Sequence, residues 1–122
     1  MTTPTNTVHC PIEISPRDGS RFQRVVARRW LGKHLFGVPS ALLEMLGVET
    51  EWESRFTLPG GGWEMLPVAE VRMRINGQER TTICVYGKAD GEPILGRHTL
   101  AAFGLATDHT EQKLVQADMF LS

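Results

Sequence analysis

Pro93-Ile94-Leu95-Gly96-Arg97-His98-Thr99-Leu100-Ala101-Ala102-Phe103-Gly104 is the stretch on which the fold turns. A short apolar run breaks at Gly96. The spacing after it predicts a helix of one to two turns, with Leu100 and Phe103 on one face and Gly104 ending it. A buried strand that enters a small helix through a glycine is a packing device, so any chemistry has to come from elsewhere in the chain.

Working outward, 122 residues at 41% hydrophobic content suit one compact domain with a modest core. The expected organisation is a flexible tail over 1–7, a folded body over 8–118 and a short tail over 119–122. Thirteen basic residues against fourteen acidic ones, interspersed along the chain, leave no electrostatic footprint for nucleic acid or an anionic membrane. Cys10 and Cys84 are two and far apart, which fits buried, reduced thiols in a cytoplasmic protein better than a disulfide framework. Thr2 to Thr7 is polar and no run of eighteen apolar residues occurs, so neither a leader nor a membrane span is expected.

Upstream of the opening stretch, strand signals dominate. Val8 to Ile14 reads as a strand that Pro11 places at an edge or bulge. Pro16-Arg17-Asp18-Gly19-Ser20 reads as a turn, and Arg21 to Trp30 as the returning arm with one wet face. Leu31 to Val38 reads as a loop. Pro39-Ser40 then opens a helix that runs to Leu46 and closes at Gly47. Glu49 to Leu58 is strand-like, and Pro59-Gly60-Gly61-Gly62 demands a turn of unusual backbone freedom. Val71, Met73 and Ile75 alternate with Arg72 and Arg74, and Asn76-Gly77 predicts a type I′ hairpin that sets Arg74 opposite Glu79. Gly87 to Glu92 reads as a surface loop; Leu105 to Thr107 and Leu114 to Gln116 read as short strands. The sum is an all-β domain with two short helices, a closed barrel or sandwich rather than an α/β sheet.

In this order the elements resemble the retropepsin-like aspartic protease fold, the single-lobe barrel with a flap hairpin. Four features carry the resemblance: the hairpin and glycine loop leading to Val38-Pro39 and Leu46-Gly47; a glycine-tipped, flap-like hairpin around 58–66; the Asn76-Gly77 hairpin; and Pro93-Ile94-Leu95-Gly96-Arg97 followed by Leu100 and Phe103-Gly104. The resemblance makes Pro39, Ile94, Leu95, Gly96 and Arg97 the structural signature. It makes Pro59, Gly60, Gly61, Gly62, Trp63 and Met65 candidates for the flap and groove. It also implies a homodimer in which each subunit supplies one Asp-Thr/Ser-Gly loop.

Counting back from Pro39 puts Trp30-Leu31-Gly32-Lys33 where that loop belongs, so the glycine is kept and the acid is not. None of Asp18, Asp90, Asp108 and Asp118 is followed by Thr-Gly or Ser-Gly. Aspartic proteolysis needs two carboxylates close enough to share a proton, one activating water and the other polarising the scissile carbonyl. An indole can neither donate nor accept that proton, and Leu31 removes the hydroxyl that ties the two loops together in the family. His34 stands where retroviral members carry the acidic partner of the residue matched by Arg97. Trp30 reads either as a core tryptophan at a strand end or as packing at a dimer axis. His9, His34, His98 and His109 show no ligand spacing, Gly60-Gly61-Gly62 is not a phosphate loop, and no nucleophile has an evident base. No metal or cofactor is expected. The expectation is a catalytically inactive protease-like domain that binds a peptide or protein partner through its former groove or its dimer surface. The alternatives are a peptidase completed by an Asp-bearing subunit or by other residues, and an unrelated β-barrel binding module.

Overall fold

The computed structural model describes residues 8–29, 35–58, 60–108 and 113–116. In chain order the elements are β1 (Val8–Pro16), β2 (Gln23–Arg29), β3 (Phe36–Pro39), α1 (Ser40–Leu46), β4 (Trp52–Thr57), β5 (Trp63–Ile75), β6 (Gln78–Gly87), β7 (Ile94–Leu95), α2 (Arg97–Ala102), β8 (Leu105–Asp108) and β9 (Lys113–Gln116). The main sheet runs β1-β2-β7-β3-β6-β5-β4. Pairing of β1 with β5, from Glu13 opposite Arg74 to Pro16 opposite Val71, closes the first six of these strands into a barrel. β4 stays outside the closed ring, and β8 and β9 form a separate antiparallel pair.

The barrel repeats itself. Exchanging β1 with β5, β2 with β6 and β3 with β7 maps the pairing pattern onto itself. β2 pairs parallel with β7, as β6 does with β3, and β3 meets β7 antiparallel at Gly37 and Ile94. The helices follow the same exchange. α1 buries Leu43 and Leu46 before Gly47, and α2 buries Leu100 and Phe103 before Gly104. Gly47 and Gly104 hold φ of 78° and 66°, the left-handed conformation that ends a helix at little cost only for glycine. After α1, Gly47 N–H and Val48 N–H reach back to the carbonyls of Glu44 and Leu43, both at 3.0 Å.

Alternation explains the core. Ala69, Val71, Met73 and Ile75 of β5 point into the barrel, where they meet Ile12, Ile14, Ala27, Phe36, Val38, Cys84 and Leu95. Arg72 and Arg74 face outward onto Glu79, with Nε to carboxylate distances of 2.8 and 2.7 Å. Arg74 stands opposite Glu79 as the Asn76-Gly77 turn requires, with φ of 53° and 81° at the two turn residues. The β1–β2 turn closes with Gly19 N–H on the Pro16 carbonyl at 2.8 Å. The Arg21 guanidinium donates to the Met45 carbonyl, tying this hairpin to the negative end of α1.

Three readings of the chain are corrected. Residues 36–38, expected within a loop, and Pro39, expected to open the helix, form β3, because Phe36 and Val38 are fully buried and β6 and β7 supply hydrogen-bonding edges on both sides. β5 begins at Trp63 rather than near Val68. Pro67 is accommodated because that part of the strand pairs with β4 alone, which leaves one side without a donor requirement. In the returning arm of the first hairpin, Arg29 is not on the wet face but only 4% exposed, while Val26 is 57% exposed.

Candidate functional site: the barrel mouth and the flap

Trp30, Leu31, Gly32, Lys33 and His34 lie outside the described residues, and so do Pro59, His109 and both tails. The frame that holds the 30–34 segment is described. Its ends, Arg29 and Leu35, lead from β2 and into β3, the two strands that flank β7. β2 runs parallel to β7, with Arg28 opposite Ile94 and Arg29 opposite Leu95. The segment therefore departs beside the point where β7 passes through Gly96 into α2. Ile94 is half-buried and Leu95 and Gly96 are buried, whereas Arg97 is exposed on the first turn. Gly96 is extended, with φ −92°, and its carbonyl accepts the Leu100 N–H at 3.2 Å. Pro39, at φ −55°, plays the corresponding part before α1.

Two arginines stand at the departure of this segment. Arg28 Nε lies 2.9 Å from a Glu92 carboxylate oxygen, and Arg28 N–H donates to the Pro93 carbonyl at 3.0 Å, so the 88–92 loop is fastened to β2. Arg29, buried beside Leu95, has its guanidinium pKa pushed down by desolvation. The sequence reading missed Arg29. The one available signal was parity, since Arg29 shares its strand face with the core residue Ala27.

The candidate flap is the hairpin of β4 and β5, paired from Trp52 opposite Val68 to Thr57 opposite Trp63. Gly60, Gly61 and Gly62 all take positive φ, 85°, 98° and 85°, at its tip. Gly61 N–H and Leu58 N–H close the turn on the carbonyls of Leu58 and Gly62, each at 3.1 Å. With no bulge along β5, Trp63, Met65 and Pro67 lie on the strand face that further along fills the barrel. Trp63 and Met65 are 54% and 46% exposed. The barrel's apolar lining thus continues onto the flap without a cover. The Arg55 guanidinium lies 4.3 Å from the centroid of the Trp63 ring, where the ring's electron-rich face attracts it.

Two open clefts lie on the described surface. One, of about 320 Å³, lies between β6 and the start of α2, next to Leu35, and is lined by Thr81, Ile83, His98 and Thr99. The other, of about 290 Å³, lies between β1 and the Asn76-Gly77 turn. There Arg74 is already engaged by Glu79 and, at 3.7 Å, by Glu13. Among the described residues no group of three or more His, Cys, Asp or Glu side chains could hold a metal ion. Burial pushes the Cys84 thiol up to about 12 and the Cys10 thiol up to about 11, so neither is a ready thiolate nucleophile. No helix among the described residues is long and apolar enough to cross a membrane.

A closed six-stranded barrel with two short helices and a flap-like hairpin is the retropepsin-like, single-lobe acid-protease architecture. Solved structures agree. EIAV protease complexed with the inhibitor HBY-793 matches with a TM-score of 0.63 over 99% of this chain and 99% of that one, at 14% identity. Simian foamy virus (mac) protease matches with a TM-score of 0.55 over 77% of this chain and 94% of that one, also at 14% identity. Neither a family model nor a curated protein sequence matches the chain. The kinship is therefore one of fold.

Proposed function

We propose that this chain is a protease-like domain that does not perform aspartic proteolysis and acts instead by binding or assembly with a peptide or protein partner. The observation that carries the reading is the sequence Trp30-Leu31-Gly32 between β2 and β3, on a skeleton of the acid-protease type. The described aspartates do not replace the lost acid there. Asp18 accepts the Ser20 N–H at 2.9 Å in the first turn, Asp90 lies in the exposed 88–92 loop, and Asp108 ends β8. A site of this class needs paired carboxylates, and no water can be activated by an indole.

The domain is read as residues 8–118 between two tails, working in the cytoplasm with Cys10 and Cys84 unpaired. It is read as a homodimer, with Trp30 either packing at the axis or buried within its own subunit. Pro59 to Gly62 serve as the flap tip, and Trp63 and Met65 offer the groove an apolar surface. Aromatic and methionine side chains that remain exposed on a hairpin outside the closed ring suit an adaptable contact with an extended apolar segment.

Two measurements test this. Homogeneous protein incubated with a peptide library from acid to neutral pH should leave it intact; acid-dependent, pepstatin-sensitive cleavage would overturn the proposal. Cleavage that requires a second, Asp-bearing subunit would replace it with a shared-site peptidase. Peptides selected for binding should lose affinity for the double variant Trp63→Ala, Met65→Ala, and retention of full affinity would remove the flap from the binding surface.

A further inference from the structure

We infer that the free edge of β4 is a self-association surface on which two copies of this chain pair antiparallel about a twofold axis at Ser54. β4 is the last strand of the sheet order and, among the described residues, bonds to β5 on one side alone. The Leu58 N–H bond to the Gly62 carbonyl fixes which backbone groups are spent. By alternation Phe56, Ser54 and Trp52 turn their N–H and C=O toward β5, while Glu53, Arg55 and Thr57 turn theirs outward. Glu51 does not extend this edge. Its N–H bonds the Val68 carbonyl at 3.0 Å, and its carboxylate accepts the Glu70 N–H at 2.8 Å, both on the β5 side.

The charge order along the outward edge selects the register. With the axis at Ser54, Glu53 of each copy faces Arg55 of the other, and the same two residues exchange the new backbone hydrogen bonds. Moving the axis to Arg55 sets arginine against arginine, and moving it to Glu53 sets glutamate against glutamate. Like charges directly opposite are destabilising, and an axis at Phe56 pairs Arg55 only with the neutral Thr57, so the register at Ser54 alone sets opposite charges face to face. On the other face Trp52, 39% exposed, meets Phe56 of the second copy, an aromatic pair across the new ladder. Charged side chains on an edge strand commonly prevent pairing with other chains. Here their order is its own complement, so the same two charges favour a second copy in this register and oppose a slip of the axis to either charged residue. The surface uses no residue of the 30–34 segment and stands apart from the dimer proposed above.

Sedimentation velocity of the full chain over a concentration series tests this. The native chain should self-associate, and Arg55→Glu, which places Glu53 against a new carboxylate twice per pair, should weaken association about tenfold or more. The double variant Glu53→Arg, Arg55→Glu should restore it, because the opposition of charge is regained. Mild oxidation of the Ser54→Cys variant should give a disulfide-linked dimer, since a residue facing itself in a non-hydrogen-bonded pair lies about 4.5 Å from its mate between Cα atoms; the native chain, with Cys10 and Cys84 alone, should not. A monomer at all concentrations would overturn the inference, as would Arg55→Glu associating like the native chain. Failure of the double variant to recover while its circular dichroism is unchanged would overturn it as well. A dimer held only through residues 30–32 would ignore the charge substitutions and leave the Ser54→Cys variant without its crosslink, which would equally overturn it.

Discussion

The two halves of the barrel share a skeleton and differ in their loops. In each half a hairpin leads through a connection into a short central strand and a helix, which ends on a buried large residue and a left-handed glycine, Leu46-Gly47 in one and Phe103-Gly104 in the other. The connection in the second half, residues 88–92, is polar and is clamped to the first half by the Arg28–Glu92 ion pair. That in the first half carries Trp30 and Leu31 and leaves β2 from the buried Arg29. What is repeated is what packing requires; what differs is where a site would be. A skeleton of this kind persists under selection for burial alone, so its presence says little about catalysis.

The largest effects should be symmetric. Leu43→Ala and Leu100→Ala each remove a buried side chain from equivalent helices, at 0% and 6% exposure, and each should cost about 2–5 kcal/mol in urea unfolding. If one substitution is silent while the other unfolds the chain, the halves are not energetic equivalents. Next come the helix ends. Gly47→Ala and Gly104→Ala force a Cβ into a left-handed backbone, and each should cost about 1 kcal/mol. At Gly47 no heavy atom lies within 4 Å of the added carbon, so the loss there would report backbone strain without a clash.

Most of this skeleton was legible in the residues. The Leu100-Phe103-Gly104 spacing, the Asn76-Gly77 turn and the helix from Ser40 to the terminating Gly47 each rest on local rules, and each holds in the structure. What was not legible depends on neighbours distant in sequence. Phe36 to Pro39 has a glycine and a proline among four residues and reads as the end of a loop and, at Pro39, the start of the helix. It is a strand because β6 and β7 offer it partners that only the closed barrel brings together. The arm Trp63 to Pro67 owes its length to the same cause, since β4 supplies its ladder. Arg29, in an arm read only as having one wet face, is placed inside by its parity with Ala27. The flap glycines were found by composition. The continuity of Trp63 and Met65 with the barrel lining needed the register.

The flap should respond differently from the barrel it belongs to. Gly61 holds φ of 98° with no heavy atom within 4 Å of an added Cβ, so Gly61→Ala brings backbone strain like that at Gly47. The hairpin tip stands outside the closed ring, and local opening can relieve the strain there. Global unfolding should therefore shift by less than about 0.5 kcal/mol, while hydrogen exchange at Leu58 and Gly61, whose N–H groups close the turn, should speed up. A loss equal to that of Gly47→Ala would mean that the flap and barrel unfold as one unit.

The smallest effect concerns the outer faces of the two hairpins, which hold their acids differently. Asp18, in the β1–β2 turn, has its pKa lowered by hydrogen bonds from Ser20, the hydroxyl first and the backbone N–H second. Glu79, on the β5–β6 ladder, has its pKa lowered chiefly by the hydrogen bond from Arg72 and then by that from Arg74. In both, the folded value lies below the unfolded one. Each carboxylate therefore adds stability above the ordinary range, about 3.9 for Asp and 4.3 for Glu, and loses it as pH falls through the folded value. Glu79→Gln should lower the urea midpoint slightly at neutral pH and not at all in strong acid, and added salt should shrink the neutral difference because the pairs are exposed. Asp18→Asn keeps an oxygen that can accept the Ser20 N–H, so its midpoint should change less and with weaker salt dependence. Equal salt dependence in the two variants would show that the Asp18 turn, like the arginine ladder, is held by charge rather than by hydrogen-bond geometry.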